Sequence, residues 1–393
     1  MIEWFGWFGW FGWFGAGLLV LLTAWYARLI SRRGAAWQRL PPTVIAGPPP
    51  PYIGFSVLIA ARNEAANLPA LLADLAHQQF PAGQFEVLIV DDHSTDATAA
   101  VVTAFAARGG LTIRLLQLAA APGAGQGKKA ALALALAHAQ YAWVACTDAD
   151  CRVGPQWLAA FAARLHQTPT LDFISGPVAL RPDGSVGAQL QVVEFASLIG
   201  VGAASLALGR PNMCNGANLA YRRAAWADVG GFAGHHHVAS GDDEFLLHAL
   251  WARRSGSAAF VKAPAAIVRT APAPTVTAFI EQRVRWASKW RHYRQAGVQG
   301  LAAGVFLLNL ALLLGLPLAV AWPAAAPVVG AALLTKMFVD GRFLRLILRF
   351  QNDERQLARA VLIWQLLYVP YVVVVGLRGL RGRYRWKGRR VST

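Results

Sequence analysis

Trp143-Val144-Ala145-Cys146-Thr147-Asp148-Ala149-Asp150 carries an apolar run of strand type straight into two carboxylates one residue apart. Two earlier stretches have the same form. Ser56 to Ala60 leads into Arg62, Asn63 and Glu64, and Glu86 to Val90 leads into Asp91 and Asp92. The first two runs are each followed by a helical stretch. Strand and helix alternating in this order predict an α/β fold with a mostly parallel sheet and helices on both faces. Ligands of such sheets gather at the carboxyl ends of the strands, where these charged residues fall.

Outside this region the composition changes. The 393 residues are 56% hydrophobic and only 15% charged, too apolar for an ordinary soluble protein, so part of the chain is expected in lipid. Residues 1–33 are read as an uncleaved membrane anchor, long enough to span a bilayer, with Arg28, Arg32 and Arg33 at its cytosolic end. Its Trp-Phe-Gly repeat puts Trp4, Trp7, Trp10 and Trp13 in a slowly rotating stripe and requires nothing beyond apolar filler. Residues 34–52, with Pro41, Pro42 and Pro48 to Pro51, form a stiff linker. Residues 53–297 follow as a cytosolic domain and 298–393 as a C-terminal membrane region, with spans near Leu301–Ala321, Pro323–Val339 and Ala360–Leu377. Three crossings would put the tail from Arg378 to Arg390 outside. One segment is therefore expected not to cross, either the last, interrupted by Pro370, or the stretch Arg342–Phe350.

The formal charge is +17, and its location decides its meaning. From Val298 onward thirteen Lys/Arg stand against three Asp/Glu, flanking apolar runs. That pattern fits a cytosolic membrane surface with anionic lipids as partners and argues against nucleic acid. Cys146, Cys151 and Cys214 have neither an even count nor metal-ligand spacing, which fits a reducing compartment.

Asp148 and Asp150 at a strand end can address one site through a tight turn. A hard ion, Mg²⁺ or Mn²⁺, takes such carboxylates and completes its shell with water and phosphate oxygens. After Asp91-Asp92 come Ser94, Thr95 and Asp96, so one of these groups serves as a plain helix cap while another can reach a nucleotide base or ribose. Gly123 to Lys129, GAGQGKK, lacks the Ser or Thr of a P-loop; it is either a solvated loop or one that delivers Lys128 or Lys129 to phosphate. Ser240-Gly241-Asp242-Asp243-Glu244 precedes an apolar helix. Capping uses one or two of its acids and leaves one for general-base work. His235, His236 and His237 read as an exposed loop rather than a metal site. In Gln282-Arg283-Val284-Arg285-Trp286, helical spacing puts Gln282, Arg285 and Trp286 on one face, able to meet a diphosphate and stack on a ring. Lys289 to Arg294 reads as an interfacial continuation with snorkelling side chains.

Taken in order, ARNE (61–64), VDDHSTD (90–96), GKK (127–129), DAD (148–150), GANLAYRR (216–223), GDDE (241–244) and QRVRW (282–286) resemble the membrane-bound family 2 glycosyltransferases. That group contains the cellulose, hyaluronan and poly-N-acetylglucosamine synthases and the ceramide glucosyltransferases. The resemblance covers about residues 53–291. It implies a GT-A nucleotide-diphospho-sugar transferase domain, with transmembrane helices at both ends of the chain, and an inverting displacement from a nucleotide sugar, with UDP-sugars as the expected donors. By position it implies that Glu64 and Asp92 contact the nucleoside, Lys128 or Lys129 the donor phosphates, Asp148 the donor side of the metal, and Asp150 the metal itself. Asp243 is then the general base, and Gln282, Arg285 and Trp286 close over the diphosphate. The family usually shows Glu-Asp where this chain has Asp242-Asp243, which leaves Asp242 as an alternative base. Gly216 to Tyr221 forms an acceptor-side wall, with Asn215 and Asn218 as polar contacts. The expected acceptor is a lipid or glycan at the cytosolic face of a membrane, the bacterial inner membrane by this reading. A processive polysaccharide synthase and a non-catalytic nucleotide-sugar sensor or scaffold are the alternatives.

Overall fold

The computed structural model describes residues 2–121, 123, 125–232, 241–293, 295–353, 358–381, 383–386 and 389–392. Internal contacts divide the chain into two compact units. Residues 1–38, 184–197 and 273–393 form a helical unit, and residues 39–183 and 198–272 form a sheet unit.

In chain order the helix α1 (Ile2–Arg39) comes first, followed by β1 (Phe55–Ala61), α2 (Leu68–Ala76), β2 (Phe85–Asp91), α3 (Thr98–Ala106) and β3 (Ile113–Gln117). Next are α4 (Lys128–His138), β4 (Trp143–Cys146), α5 (Trp157–Gln167), β5 (Phe173–Ser175) and β6 (Val178–Leu180). The unit boundary falls inside α6 (Val186–Ala207). After it come β7 (Leu219–Arg222), α7 (Arg223–Asp228), α8 (Asp242–Arg253), β8 (Ala258–Phe260) and β9 (Val268–Thr270). The chain then runs through α9 (Val276–Ser288), α10 (Ala296–Ala321), α11 (Ala326–Phe350) and α12 (Ala358–Leu380) to the strands β10 (Arg383–Trp386) and β11 (Arg389–Ser392).

The main sheet has the order β3-β2-β1-β4-β7-β5-β8. Strands β3, β2, β1 and β4 run parallel, in a register that sets Val57 beside Val87 and Phe55 beside Trp143. This is the α/β arrangement predicted from the sequence, with one addition: β7 is antiparallel to both β4 and β5. The runs at the centre are apolar because both faces are covered. Val57, Leu58 and Ile59 have no exposed surface, and burial of each such side chain contributes roughly 2 kcal/mol. The buried Glu86 is accommodated by hydrogen bonds. Ser56 Oγ and the Gln140 amide both donate to its Oε1 at 2.7 Å.

In the helical unit α1 continues through Gly34 to Arg39, over positions read from the sequence as linker. Nothing in GAAWQR breaks a helix, and the first proline stands only at position 41. Among the described residues five helices are long and apolar enough to cross a membrane: 14–39, 186–207, 296–321, 323–350 and 358–380. The second was not anticipated. Its most apolar window is 72% buried against 22–33% in the other four, which marks it as an interior helix of the protein. Arg342–Phe350 simply continues α11, and Pro370 lies inside α12. One pair of opposite charges within these helices is closed on itself. Fully buried Lys336 donates to Asp340 Oδ2 at 2.6 Å, the Tyr26 hydroxyl donates to Asp340 Oδ1 at 2.7 Å, and the Tyr368 ring centroid is 4.3 Å from the lysine nitrogen. This cluster joins α1, α11 and α12, and it satisfies in pairs groups that would be costly alone in an apolar setting.

Candidate active site

The tips of β1 and β2 are bound to each other by side chains that accept backbone N–H groups. The Asn63 amide donates to Ser94 Oγ at 3.0 Å, the Thr95 amide to Asn63 Oδ1 at 2.8 Å, and the Glu64 amide to Thr98 Oγ1 at 2.8 Å. Asn63 and His93 hold positive φ values of 55° and 57°, a conformation rare outside glycine. The acids here divide by role. Asp91 Oδ1 accepts the Ser94 amide at 3.0 Å, and Asp96 accepts the Thr98 hydroxyl and amide, bonds that hold its carboxyl below the usual range. Both are turn and cap residues. Asp92 is different: 5% exposed, it accepts the Gly127 amide at 3.1 Å, with His93 at 3.0 Å and Arg62 at 3.9 Å. It thereby fastens the glycine loop at the start of α4. Gly127 has φ 95°, which a residue with a side chain rarely adopts.

Lys128, the first residue of α4, donates to Asp148 Oδ1 at 2.5 Å and stands 3.7 Å from Asp242 Oδ2. Burial works against its charge, but Asp148 and Asp242 more than offset that and hold the ammonium well above its ordinary pKa. Lys129 turns elsewhere, over the Phe245 ring at 5.6 Å. The two lysines thus have different neighbours. Asp242 and Asp243 open α8. Asp243 accepts the Gly216 amide through Oδ2 at 2.7 Å and the Glu244 amide through Oδ1 at 2.8 Å, which fixes its carboxylate plane. Asp242 has its carboxyl raised by burial, an effect Lys128 opposes and Asp243 reinforces. A Cβ on Gly216 would lie 3.1 Å from Lys128 Nζ, 3.3 Å from Asp243 Oδ2 and 3.5 Å from Asp242 Oδ2. Gly216 therefore forms the floor on which the three charges meet.

The turn after β4 brings together ligand atoms of Asp148, Asp150 and Cys151, all within 4.8 Å of one another. It is braced from behind by Asp74, which accepts two bonds from the Arg152 guanidinium at 2.5 and 2.6 Å and the Val153 amide at 3.2 Å. Asp150 is exposed, yet the protein around it and the carboxylates of Asp148 and Glu64 raise its pKa to about 6. Three acids that repel one another at a strand end suit a divalent cation, and the donor set is mainly hard oxygen. The third donor, Cys151, is a thiol kept protonated by burial. Glu64 itself accepts the Asn67 amide nitrogen at 2.7 Å.

Asn218 does not line an acceptor wall. Its amide is fully buried and committed to the scaffold: Nδ2 donates to Pro177 O and Ala266 O at 2.7 Å each, and Oδ1 accepts the Trp157 indole at 2.9 Å. Asn215 Oδ1 accepts the Ala217 amide at 2.9 Å and shapes the turn that presents Gly216. His235, His236 and His237 lie outside the described residues.

Gln282, Arg285 and Trp286 stand on α9, in the helical unit. There the sequence reading missed the residue between them. Arg283, 3% exposed, forms a two-pronged ion pair with Glu194 of α6, with Nε to Oε1 at 2.9 Å and Nη2 to Oε2 at 2.5 Å. Its Nη1 donates to Gln282 Oε1, and its guanidinium carbon is 4.2 Å from the Trp286 ring centroid. A signal was available: Glu194 is the sole charged residue in the 22 residues of α6.

Residues 143–374, more than half of the chain, match glycosyl transferase family group 2, and residues 56–227 match glycosyl transferase family 2. The chain belongs to glycosyl transferase family group 2. It is 26% identical over 178 residues to a poly-beta-1,6-N-acetyl-D-glucosamine synthase of Staphylococcus epidermidis, covering 45% of this chain and 41% of the synthase. It is 28% identical over 207 residues to the glycosyltransferase AglE of Haloferax volcanii, covering 52% of this chain and 62% of AglE. The matched stretch thus spans less than two thirds of either relative. Among solved structures, the Pyrobaculum calidifontis mannosyltransferase PcManGT in complex with GDP-Man and Mn²⁺ superposes with a TM-score of 0.57 at 22% identity. That match covers 92% of this chain and 99% of the other, and it supports the GT-A fold expected from the motifs.

Proposed function

We propose that this family member is an inverting glycosyltransferase that moves a sugar from a nucleoside-diphosphate sugar to an acceptor hydroxyl at a membrane face. The observation that carries the reading is the meeting of Lys128, Asp148, Asp242 and Asp243 at Gly216, at the carboxyl end of the sheet. Asp150, with Asp148, would hold Mg²⁺ or Mn²⁺, which would supply positive charge opposite the diphosphate leaving group. Lys128 supplies a cation on the donor phosphates, and Lys129 stands next to it on the same helix. Glu64 and Asp92 take the nucleoside side, Asp92 through the loop that it fastens.

Asp243 accepts the proton of the attacking hydroxyl while a new bond forms from that oxygen to the anomeric carbon and the bond to the diphosphate breaks. Two backbone hydrogen bonds, from the Gly216 and Glu244 amides, aim the carboxylate. Asp242 serves to hold Lys128 and is the second candidate for the base. On the strength of the motif, Gln282, Arg285 and Trp286 act on the donor diphosphate and the acceptor entrance. UDP-sugars are the proposed donors and a lipid or glycan the proposed acceptor. The catalytic stretch 53–297 is assigned to the cytosolic face of a bacterial inner membrane, with 1–33 as anchor and 298–393 as membrane region. The relatives' names favour one second reading, a synthase that repeats the addition to build a polymer.

The test is release of nucleoside diphosphate by detergent-purified protein offered a panel of UDP- and GDP-sugars, with Mn²⁺ or with EDTA, followed by size analysis of the labelled product. Metal-dependent release from one donor with a single sugar on an extracted lipid or glycan supports the reading. A long polymer moves the chain to the synthase reading. Donor binding with no release under any condition overturns both.

A further inference from the structure

The geometry around Arg283 points to a positioning residue. We propose that Arg283, clamped by Glu194 and Tyr371, sets the orientation of Gln282 and Trp286 for transfer, an assignment that rests on the glycosyltransferase reading for its functional half. Three helices converge here within the helical unit. Glu194 comes from α6, Arg283 from α9 and Tyr371 from α12, one residue after the internal Pro370. The Tyr371 hydroxyl donates to Glu194 Oε1 at 2.9 Å, the same oxygen that accepts from Arg283 Nε at 2.9 Å.

A two-pronged guanidinium–carboxylate pair fixes a plane as well as a distance. With that plane set, the other contacts of the guanidinium follow. Nη1 donates to the Gln282 amide oxygen, and the Trp286 and Phe279 rings sit 4.2 and 4.6 Å from the guanidinium carbon. Phe195, next to Glu194, closes on Trp286 at 6.1 Å, and Phe279 stacks on Tyr371 at 5.6 Å with 25° between the rings. Two of the three motif side chains are thus held by a residue that makes no contact with donor or acceptor in the proposed reaction.

Stability alone gives a poor account of this arrangement. A buried ion pair adds little that well-packed apolar side chains of similar volume would not. An apolar pair offers no donor to Gln282 Oε1 and no flat cation for Trp286. Lysine would keep the charge but lose the plane.

The test uses the full chain labelled with 5-fluorotryptophan in detergent, with the Trp286 ¹⁹F resonance assigned from Trp286→Phe. The double variant Glu194→Met/Arg283→Met removes both charges together, and Arg283→Lys keeps a partner for Glu194 in case the double variant fails to fold. The expected result is a displaced or broadened Trp286 signal in both variants. The melting temperature of the double variant stays within a few degrees of wild type, and kcat for nucleoside diphosphate release falls about tenfold or more. An unmoved Trp286 signal overturns the positioning role. A moved signal with kcat kept within about twofold overturns its bearing on transfer. If the wild-type chain turns over no donor, the glycosyltransferase reading falls by itself, while the ¹⁹F arm still decides whether Arg283 positions Trp286.

Discussion

Two charged clusters, one in each unit, differ in their access to water. In the sheet unit the side chains of Lys128, Asp148 and Asp242 are 24%, 40% and 13% exposed, while in the helical unit those of Arg283 and Glu194 are 3% and 2% exposed. The first cluster can exchange partners: a phosphate oxygen or a cation can replace one carboxylate contact without unfolding anything. In the second cluster the Arg283–Glu194 ion pair is closed inside the protein, and removing one member strands the other in an apolar surround. Open charges are suited to binding and chemistry, closed ones to holding geometry. The assignments above follow that division.

The largest effect is expected in the open cluster. Asp150→Ala is expected to lower turnover by about 10³-fold and to remove any response to Mn²⁺, with thermal stability nearly unchanged, as checked by product release and melting curves. The closed cluster should behave in the opposite sense. Arg283→Met alone should destabilise the chain by about 3–5 kcal/mol, and adding Glu194→Met should restore most of that in denaturant titrations. If single and double variants are equally unstable, the closed pair is not the unit described. Gly216→Ala, which pushes a methyl group toward Lys128 and Asp243, should slow turnover by roughly 10- to 100-fold with little change in folding, read from kcat and the melting temperature together. Tyr371→Phe removes one hydrogen bond to a carboxylate and should cost about 1.5 kcal/mol of stability, the smallest of these effects.

Much of the fold was legible because β1, β2 and β4 are short apolar runs that end in charged tips. The far side of the sheet was not. β5, β7 and β8 have only three or four residues each, too few to show a period, and the antiparallel placement of β7 depends on pairing partners distant in sequence. Helix α6 lies within the stretch 53–297 expected as a single cytosolic domain, and its apolar length is comparable to that of the terminal spans. At the site, Asp148, Asp150, Asp242 and Asp243 could be picked out because acids in excess of capping needs stand out. That Lys128 joins Asp148 and Asp242 while Lys129 lies over Phe245 was not legible, since it depends on which way two neighbouring side chains leave the start of α4. Asn218 was misread for a related reason: its residue type suggests a polar contact, but its three buried partners come from Trp157, Pro177 and Ala266. Arg283 went unremarked because helical spacing drew attention to the face that holds Gln282, Arg285 and Trp286, and its partner lies 89 positions away.

In the proposed reaction the open cluster performs the transfer, with Asp243 as its base. This role is tested most directly by measuring, on the same preparation, donor affinity by calorimetry and turnover by nucleoside diphosphate release for Asp243→Asn against wild type. Donor affinity within a few-fold of wild type and turnover lower by about 10³-fold are expected. Turnover preserved in Asp243→Asn but lost in Asp242→Asn would transfer the role to Asp242, and turnover preserved in both would contradict the proposed reaction.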